Sequence, residues 1–372
     1  MIARKKVRVW DLPTRLFHWL LVLAFVLAWA THDDSRHLDI HIISGYTFFA
    51  LLMFRLVWGV VGSHYARFSE FSYTPKELFS YLRSLPGNGV KHYVGHNPAG
   101  AWAIFVLLTL GLLLAISGVI VLGGEEQQGI LAGYISFDQS APFSMLHETV
   151  AWAMVVLIVI HICGVIVESV LHRENLVGAM FRGTKWVAGS SAQIPAHQLV
   201  ASVILISVIA WGGLSLNTYL AATDEHPYQP FKGPALAMNE LWNEECGACH
   251  LAFHPSLLPA RSWQYLFEQQ DNHFQEELML DDETLNELLQ YALNNSAEQK
   301  KTEAAWKINR AIGRDERPLQ ITAVSYWKDK HSAISDITWQ QEAVQSKANC
   351  GACHYDAEQG TFQDAAMRIP SE

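Results

Sequence analysis

The sequence predicts an all-α protein: a bundle of membrane-spanning helices followed by a smaller, mainly helical soluble domain. Three observations predict it. Charged residues make up only 17% of 372, below the usual quarter, and the deficit is concentrated in long apolar runs before residue 220. The remainder is polar and acidic. From residue 221 onward there are 24 Asp and Glu against 12 Lys and Arg, a net of −12, while the first 220 residues carry +2. Within the polar part, residues 276–294 place Leu278, Leu280, Leu285, Leu288, Leu289, Tyr291 and Leu293 close to helical spacing.

Taken in order, the apolar segments cover 16–31, 41–61, 100–122, 147–171 and 197–220, against the roughly 20 residues that a span needs. The first is short and ends in Ala28-Trp29-Ala30, which resembles a signal-peptidase site. Arg15 and His18 sit badly in a signal peptide, so it is read as a span. Basic residues fix the orientation. Arg4, Lys5, Lys6 and Arg8 precede the first span; Arg67, Lys76, Arg83 and Lys91 follow the second; Arg173, Arg182 and Lys185 follow the fourth. The opposite loops hold only Arg36, or Glu125, Glu126 and Asp138. The N-terminus is therefore expected in the cytoplasm, and five spans put the C-terminal domain in the periplasm of a bacterial inner membrane. The stretch 221–234, with Pro227, Pro230 and Pro234, reads as a linker. The expected domains are 1–190 with four spans, 191–220 with the fifth, a linker over 221–239 and the soluble domain over 240–372. The acidic tail argues against nucleic acid and favours a basic partner surface.

The strongest motif occurs twice. Cys246-Gly-Ala-Cys249-His250 and Cys350-Gly-Ala-Cys353-His354 match covalent attachment of c-type haem. Two thiols add to the porphyrin vinyl groups, and the adjoining His ligates iron. A redox Cys pair or a zinc site is the alternative, although six donors exceed zinc's usual four. Such haem is attached outside the bacterial cytoplasm, which agrees with the orientation from charge. Met238, Met279, Met367, His254, His273 and His331 remain as sixth ligands.

Ionisable groups inside spans are costly and usually functional. His147 and His161 are fourteen residues apart, so they share a helix face about 21 Å apart along the axis. Topology puts His18 at the depth of His161, and His41 at that of His147. Two bis-His haems stacked across a helix bundle follow from this pairing. Arg15 and Arg55 lie near the inner face, where they serve either haem propionates or positive-inside anchoring. Cys163 reads as a small core residue. Trp19, Trp29 and Trp58 suit interfacial belts.

These residues resemble known families. Residues 1–190, with Arg15-Leu-Phe-His18-Trp19, His41-Ile-Ile-Ser-Gly45-Tyr46, Phe54-Arg55-Leu-Val-Trp58-Gly59 and the His147/His161 pair, resemble the prokaryotic cytochrome b-561 family. Its relatives are the b-type subunits of nickel-iron hydrogenase and formate dehydrogenase. The resemblance implies two haem b on the same four histidines, and exchange of electrons with quinone, ubiquinone or menaquinone. Residues 240–370 are similar to the small di-haem cytochrome c that donates electrons to sphaeroides haem protein, a monohaem cytochrome that binds oxygen. The matching stretches include Leu257-Leu-Pro-Ala-Arg-Ser-Trp263, Asp271-Asn-His273-Phe274 and Lys330-His331. That resemblance implies two covalent haem c, with His273 and His331 ahead of His254 as sixth ligands. The fold class is then a di-haem four-helix transmembrane bundle with a fifth anchoring span, carrying a periplasmic di-haem domain.

The function expected is transmembrane electron transfer: quinol is oxidised at the b haems, and electrons pass to the c haems and a small periplasmic redox protein, such as a monohaem cytochrome binding oxygen or nitric oxide. Superoxide oxidation with quinone reduction ranks lower, because the outer loops are acidic and repel an anion. A haem-based redox or gas sensor needs an open axial position, which the spare histidines argue against.

Overall fold

A computed structural model of the chain describes residues 5–33, 37–86, 90–187, 197–223 and 236–370. The linker prolines Pro227, Pro230 and Pro234, and the basic residues Arg4 and Arg36, lie outside the described residues. The chain divides into two compact units. One comprises Met1–Gly118 and Met145–Tyr228, and the other Val119–Ser144 and Gln229–Glu372.

In the first unit, strand β1 (Lys5–Arg8) leads into helix α1 (Leu12–Ala30). Helix α2 (Leu38–Val61) and the short amphipathic helix α3 (Pro75–Ser84) follow. Helix α4 (Pro98–Gly124) and the 36-residue α5 (Phe137–His172) come next. Helix α6 (Leu176–Arg182), strand β2 (Thr184–Val187) and helix α7 (Gln198–Leu220) complete the membrane part. Helices α1, α2, α4, α5 and α7 are long and apolar enough to cross a membrane. Their shared core includes Phe17, Phe48, Leu51, Leu52, Phe54, Trp58, Leu108, Met154 and Leu205. The fifth span therefore packs into the bundle, against α1 and α2.

On α5 the side chains of Val156, Val159, Ile160, Ile162 and Ile166 are each more than half exposed. In water such exposure costs on the order of 1 kcal/mol per residue, whereas lipid tails accept it. Cys163, expected in the core, is exposed on this helix.

Helix starts depart from the apolar runs for local reasons. Helix α1 begins before its apolar run because buried Asp11 accepts the Thr14 N–H at 2.6 Å and Pro13 sits in the first turn. Helix α5 begins at Phe137, ten residues before its apolar run, because hydropathy marks bilayer thickness and not the end of a helix. Strands β1 and β2 pair antiparallel, Lys5 opposite Val187 and Arg8 opposite Thr184.

The second unit holds α8 (Glu240–Cys246), α9 (Ala260–Glu268), α10 (Asp282–Asn294), α11 (Glu303–Ala311), α12 (Ser325–Lys330) and α13 (Asp336–Gln340). Trp242, Leu258, Trp263, Phe267, Leu288, Ile308, Ile312 and Val324 form its core. The helix expected over 276–294 starts at Asp282, where Asp281 accepts from the backbone of Glu283 and Thr284 at 3.0 and 2.9 Å. Positive φ at Phe274, Gln275 and Met279 keeps the preceding residues out of the helix.

Candidate functional site

Three histidine pairs meet at nearly one spacing. The rings of His41 on α2 and His147 on α5 lie 6.1 Å apart between centroids. Those of His250 and His273 are 6.3 Å apart, and those of His331 and His354 also 6.3 Å. A metal–imidazole bond is about 2 Å. Two such bonds on opposite sides of one metal ion, with half a ring added at each end, put the centroids roughly 6 Å apart.

The other ring nitrogens are held in a matching way. His41 Nδ1 bonds Ala28 O at 2.9 Å, and His147 Nδ1 bonds Leu114 O at 3.0 Å and Ser117 Oγ at 3.1 Å. His250 Nδ1 bonds Leu251 O and His331 Nδ1 bonds Trp327 O, both at 2.7 Å. A carbonyl partner at Nδ1 takes the N–H there and leaves Nε2 as a free electron-pair donor. At His354 the Nδ1 is shielded and has no partner among the described residues.

His18 on α1 and His161 on α5 interact electrostatically, and His18 Nδ1 is another buried nitrogen without a described partner. Arg55 on α2 is 4% exposed. Its guanidinium packs 4.6 Å from the Phe68 ring centre and is attracted by Asp11. Its Nη1 has no described partner. Arg15 is committed to the backbone, donating from Nη1 to Phe181 O at 2.5 Å and from Nε to Asp11 O at 3.4 Å. Asp11 is the hub of this end of the bundle, accepting also from Trp58 Nε1 at 3.2 Å and from Ser63 Oγ.

Burial raises the cysteine thiols. Cys246 is pushed up to about 12, with Glu245 adding to the effect, and Cys350 to about 11. Among the described residues no three or more His, Cys, Asp or Glu side chains converge as a metal site would need, so the two Cys pairs and their histidines do not form the shared four-donor site that zinc takes. His254 is 2% exposed and both its nitrogens are engaged, Nδ1 with Ser256 Oγ at 2.9 Å and Nε2 with Ala237 O at 3.3 Å. It has no nitrogen to spare for a metal.

The prokaryotic cytochrome b561 family matches residues 9–183, and the dihaem cytochrome c family matches residues 242–362. The chain joins a cytochrome b561 domain to a dihaem cytochrome c domain. The b-type cytochrome subunit described as a probable Ni/Fe-hydrogenase subunit of Azotobacter vinelandii is 26% identical over 215 residues, 48% of this chain and 87% of that one. The corresponding subunit of Cupriavidus necator is 26% identical over 211 residues, 48% of this chain and 86% of that one. Among solved structures, the diheme cytochrome c of Rhodobacter sphaeroides is 33% identical. That match covers 34% of this chain and 98% of that one, with a TM-score of 0.31.

This cytochrome b561–cytochrome c fusion is thus an electron-transfer membrane protein, and its families imply haem b and haem c. The paired imidazole spacing and the orphaned Arg55 Nη1 fit haem with its propionates. Sequence reasoning missed Ser117, which is 2% exposed and fixes His147. Its neighbour Gly118 leaves room for the same ring, since a Cβ there would meet His147 Cε1 at 2.9 Å. The Ser-Gly pair inside an otherwise apolar run was the available signal. Also missed was a cleft of about 180 Å³ lined by His64, Tyr65, Glu70, Tyr73, Tyr93 and His96, among others. The His96 ring lies tilted against those of Trp10 and Phe71, at 4.7 and 4.4 Å between centroids, and its Nδ1 is shielded without a described partner. Burial, with Arg55, Lys185 and His161, holds this imidazole down to about 3, so it is neutral.

Proposed function

We propose that the chain carries electrons from membrane quinol through two haem b to two haem c and on to a periplasmic acceptor. The observation that carries this is the common spacing of the His41/His147, His250/His273 and His331/His354 pairs. His18 and His161 are assigned the inner haem b, His41 and His147 the outer one. Cys246 and Cys249, and Cys350 and Cys353, attach the two haem c. Haem supplies one-electron chemistry, and the protein sets ligation, burial and potential.

The chain's own residues do the rest. Carbonyls at Ala28, Leu114, Leu251 and Trp327 orient the imidazoles. Arg55 is assigned to a propionate, where a buried guanidinium gains the charge-assisted partner that its Nη1 lacks. Arg15 remains a second candidate for the same role, with its remaining donors. The cleft beside His96 is assigned the quinol head group. Its aromatic walls suit a flat ring, neutral His96 can bond a hydroxyl, and the His64–Glu70 pair at 3.3 Å can take protons. Oxidation of quinol releases two electrons and two protons, so a polar group at the cleft mouth is required.

The domain reading is 1–190 and 191–220 for the membrane part, with 240–372 as the c domain in the bacterial periplasm and the N-terminus in the cytoplasm. The acceptor is a small redox protein with a basic face, matched to the net charge of −12 from residue 221 onward. The test is a haem count on the purified chain, with b and c distinguished by their pyridine adducts. Two of each are expected. Two c and no b would leave a tethered dihaem cytochrome and refute the conduit.

A further inference from the structure

The loop joining α4 to α5 belongs to the same compact unit as residues 229–372. Gln128 is fully buried, and its Nε2 donates to Gln363 Oε1 at 2.9 Å. Lys301 Nζ donates to Gly133 O at 2.6 Å, while its own carbonyl accepts from Phe137 N at 3.2 Å and Gln127 Nε2 at 3.4 Å. The Phe137 ring meets Trp306 at 5.1 Å, with the Lys307 ammonium 5.2 Å from the Phe137 centroid. A buried amide pair, an aromatic anchor and two-way bonding to one lysine make a specific interface within this unit.

The partner segment is the turn behind one haem-attachment motif. Gln363 N and Thr361 Oγ1 donate to Asp356 Oδ2 at 2.7 and 2.6 Å. The Phe362 ring lies 5.3 Å from the ring of His354. The loop therefore grips the residues that back the His354 imidazole. The other motif is flanked by open, acidic surface: Glu244 and Glu245 are exposed, and Phe274 beside His273 is 49% exposed. In sequence, His147 follows the last loop residue of this unit, Ser144, by only three positions.

We propose that the α4–α5 loop is a clasp that makes the Cys350–His354 site the point where the c domain takes up electrons, leaving the Cys246–His250 site to hand them on. This rests on the haem assignments proposed above. With haem bound, one electron and no proton would move at each transfer: His41 and His147 would hold the donor, Cys350, Cys353 and His354 the first acceptor, and Cys246, Cys249 and His250 the second, from which the electron would pass to the basic partner. Gln128, Lys301 and Gln363 act as positioning residues. Small displacements of reacting groups carry large rate penalties.

The test uses the full-length protein. A spectrum of the parent comes first, since absence of c haem there would overturn the haem assignment itself. Cys246→Ala/Cys249→Ala and Cys350→Ala/Cys353→Ala are then compared by the rate at which quinol reduces the remaining c haem. The first variant is expected to stay fast and the second to slow by about tenfold or more. Equal rates, or the reverse order, overturn the proposal. If either variant fails to accumulate, Gln128→Ala/Lys301→Ala decides. It is expected to keep its haem content and b reduction, to slow c reduction about tenfold, and to exchange the amide hydrogens of the loop faster. Unchanged c reduction overturns the proposal.

Discussion

Two histidines of the c domain contrast a proposed ligand with a structural group: His354 faces His331 across 6.3 Å, while both nitrogens of His254 are locked by Ser256 and Ala237. Burial first, with Lys300 helping and the Ala237 bond opposing, holds His254 down to about 4 from the usual 6.5. Its folded pKa is depressed, so on acidification the unfolded chain takes the proton first. Stability is then lost as pH falls from 6.5 towards 4, by about 3 kcal/mol in all. His254→Gln is expected to leave the c-haem spectrum unchanged and to flatten the pH dependence of thermal unfolding of the full chain between those values. Loss of one c haem in this variant would contradict the ligand assignment. His161→Ala is expected to remove one b haem of two, read from the pyridine adduct, and to leave both c haems. The four membrane histidines were legible in sequence because an ionisable group in an apolar run is rare. Ser117 and His96 were not, because a serine in a span and a histidine in a polar loop are ordinary until a fold brings them against a ring or a cleft.

At the level of elements, apolar runs located all five spans but not their starts. A run reports the lipid-facing length, whereas the first turn is set by a cap such as Asp11. Asp11 also ties α1 to α2 through Trp58 and to the following turn through Ser63. Asp11→Ala is expected to destabilise the membrane unit by about 3 kcal/mol, because it strands buried donors and leaves Arg55 without its nearest counter-charge. Thermal unfolding in detergent reads this, and a loss under about 1 kcal/mol would place it among neutral surface changes. The link between α6 and β2 is a second test. Gly183 has φ +79°, accepts from Val9 N and Trp10 N, and sits where a Cβ would meet the Trp10 carbonyl oxygen at 2.5 Å and Arg15 Nε at 3.0 Å. Gly183→Ala is expected to cost about 1–3 kcal/mol through left-handed strain and the clash with the Trp10 backbone. Nothing in the sequence flagged this β pair, since two four-residue strands at opposite ends of the membrane unit give no periodic signal of their own.

Across the whole molecule, the split in charge and hydropathy announced a membrane part and an acidic part, and the paired Cys-x-x-Cys-His motifs announced their chemistry. Composition could not tell that Val119–Ser144, which is sequence of the membrane part, packs in the compact unit of residues 229–372. That assignment comes from long-range contacts such as Gln128 with Gln363, which no local pattern encodes. In the proposed conduit, electrons reach the c haems only through the membrane histidines. The most direct measurement mixes the anaerobic, oxidised full-length protein with a soluble quinol analogue and follows the b and c absorption bands separately, in the parent chain and in His161→Ala. In the parent the b haems are expected to be reduced first and the c haems to follow, and in His161→Ala reduction of the c haems by quinol is expected to fall by about a hundredfold or more. Equally fast c reduction in both proteins would contradict it and leave the membrane part as an anchor.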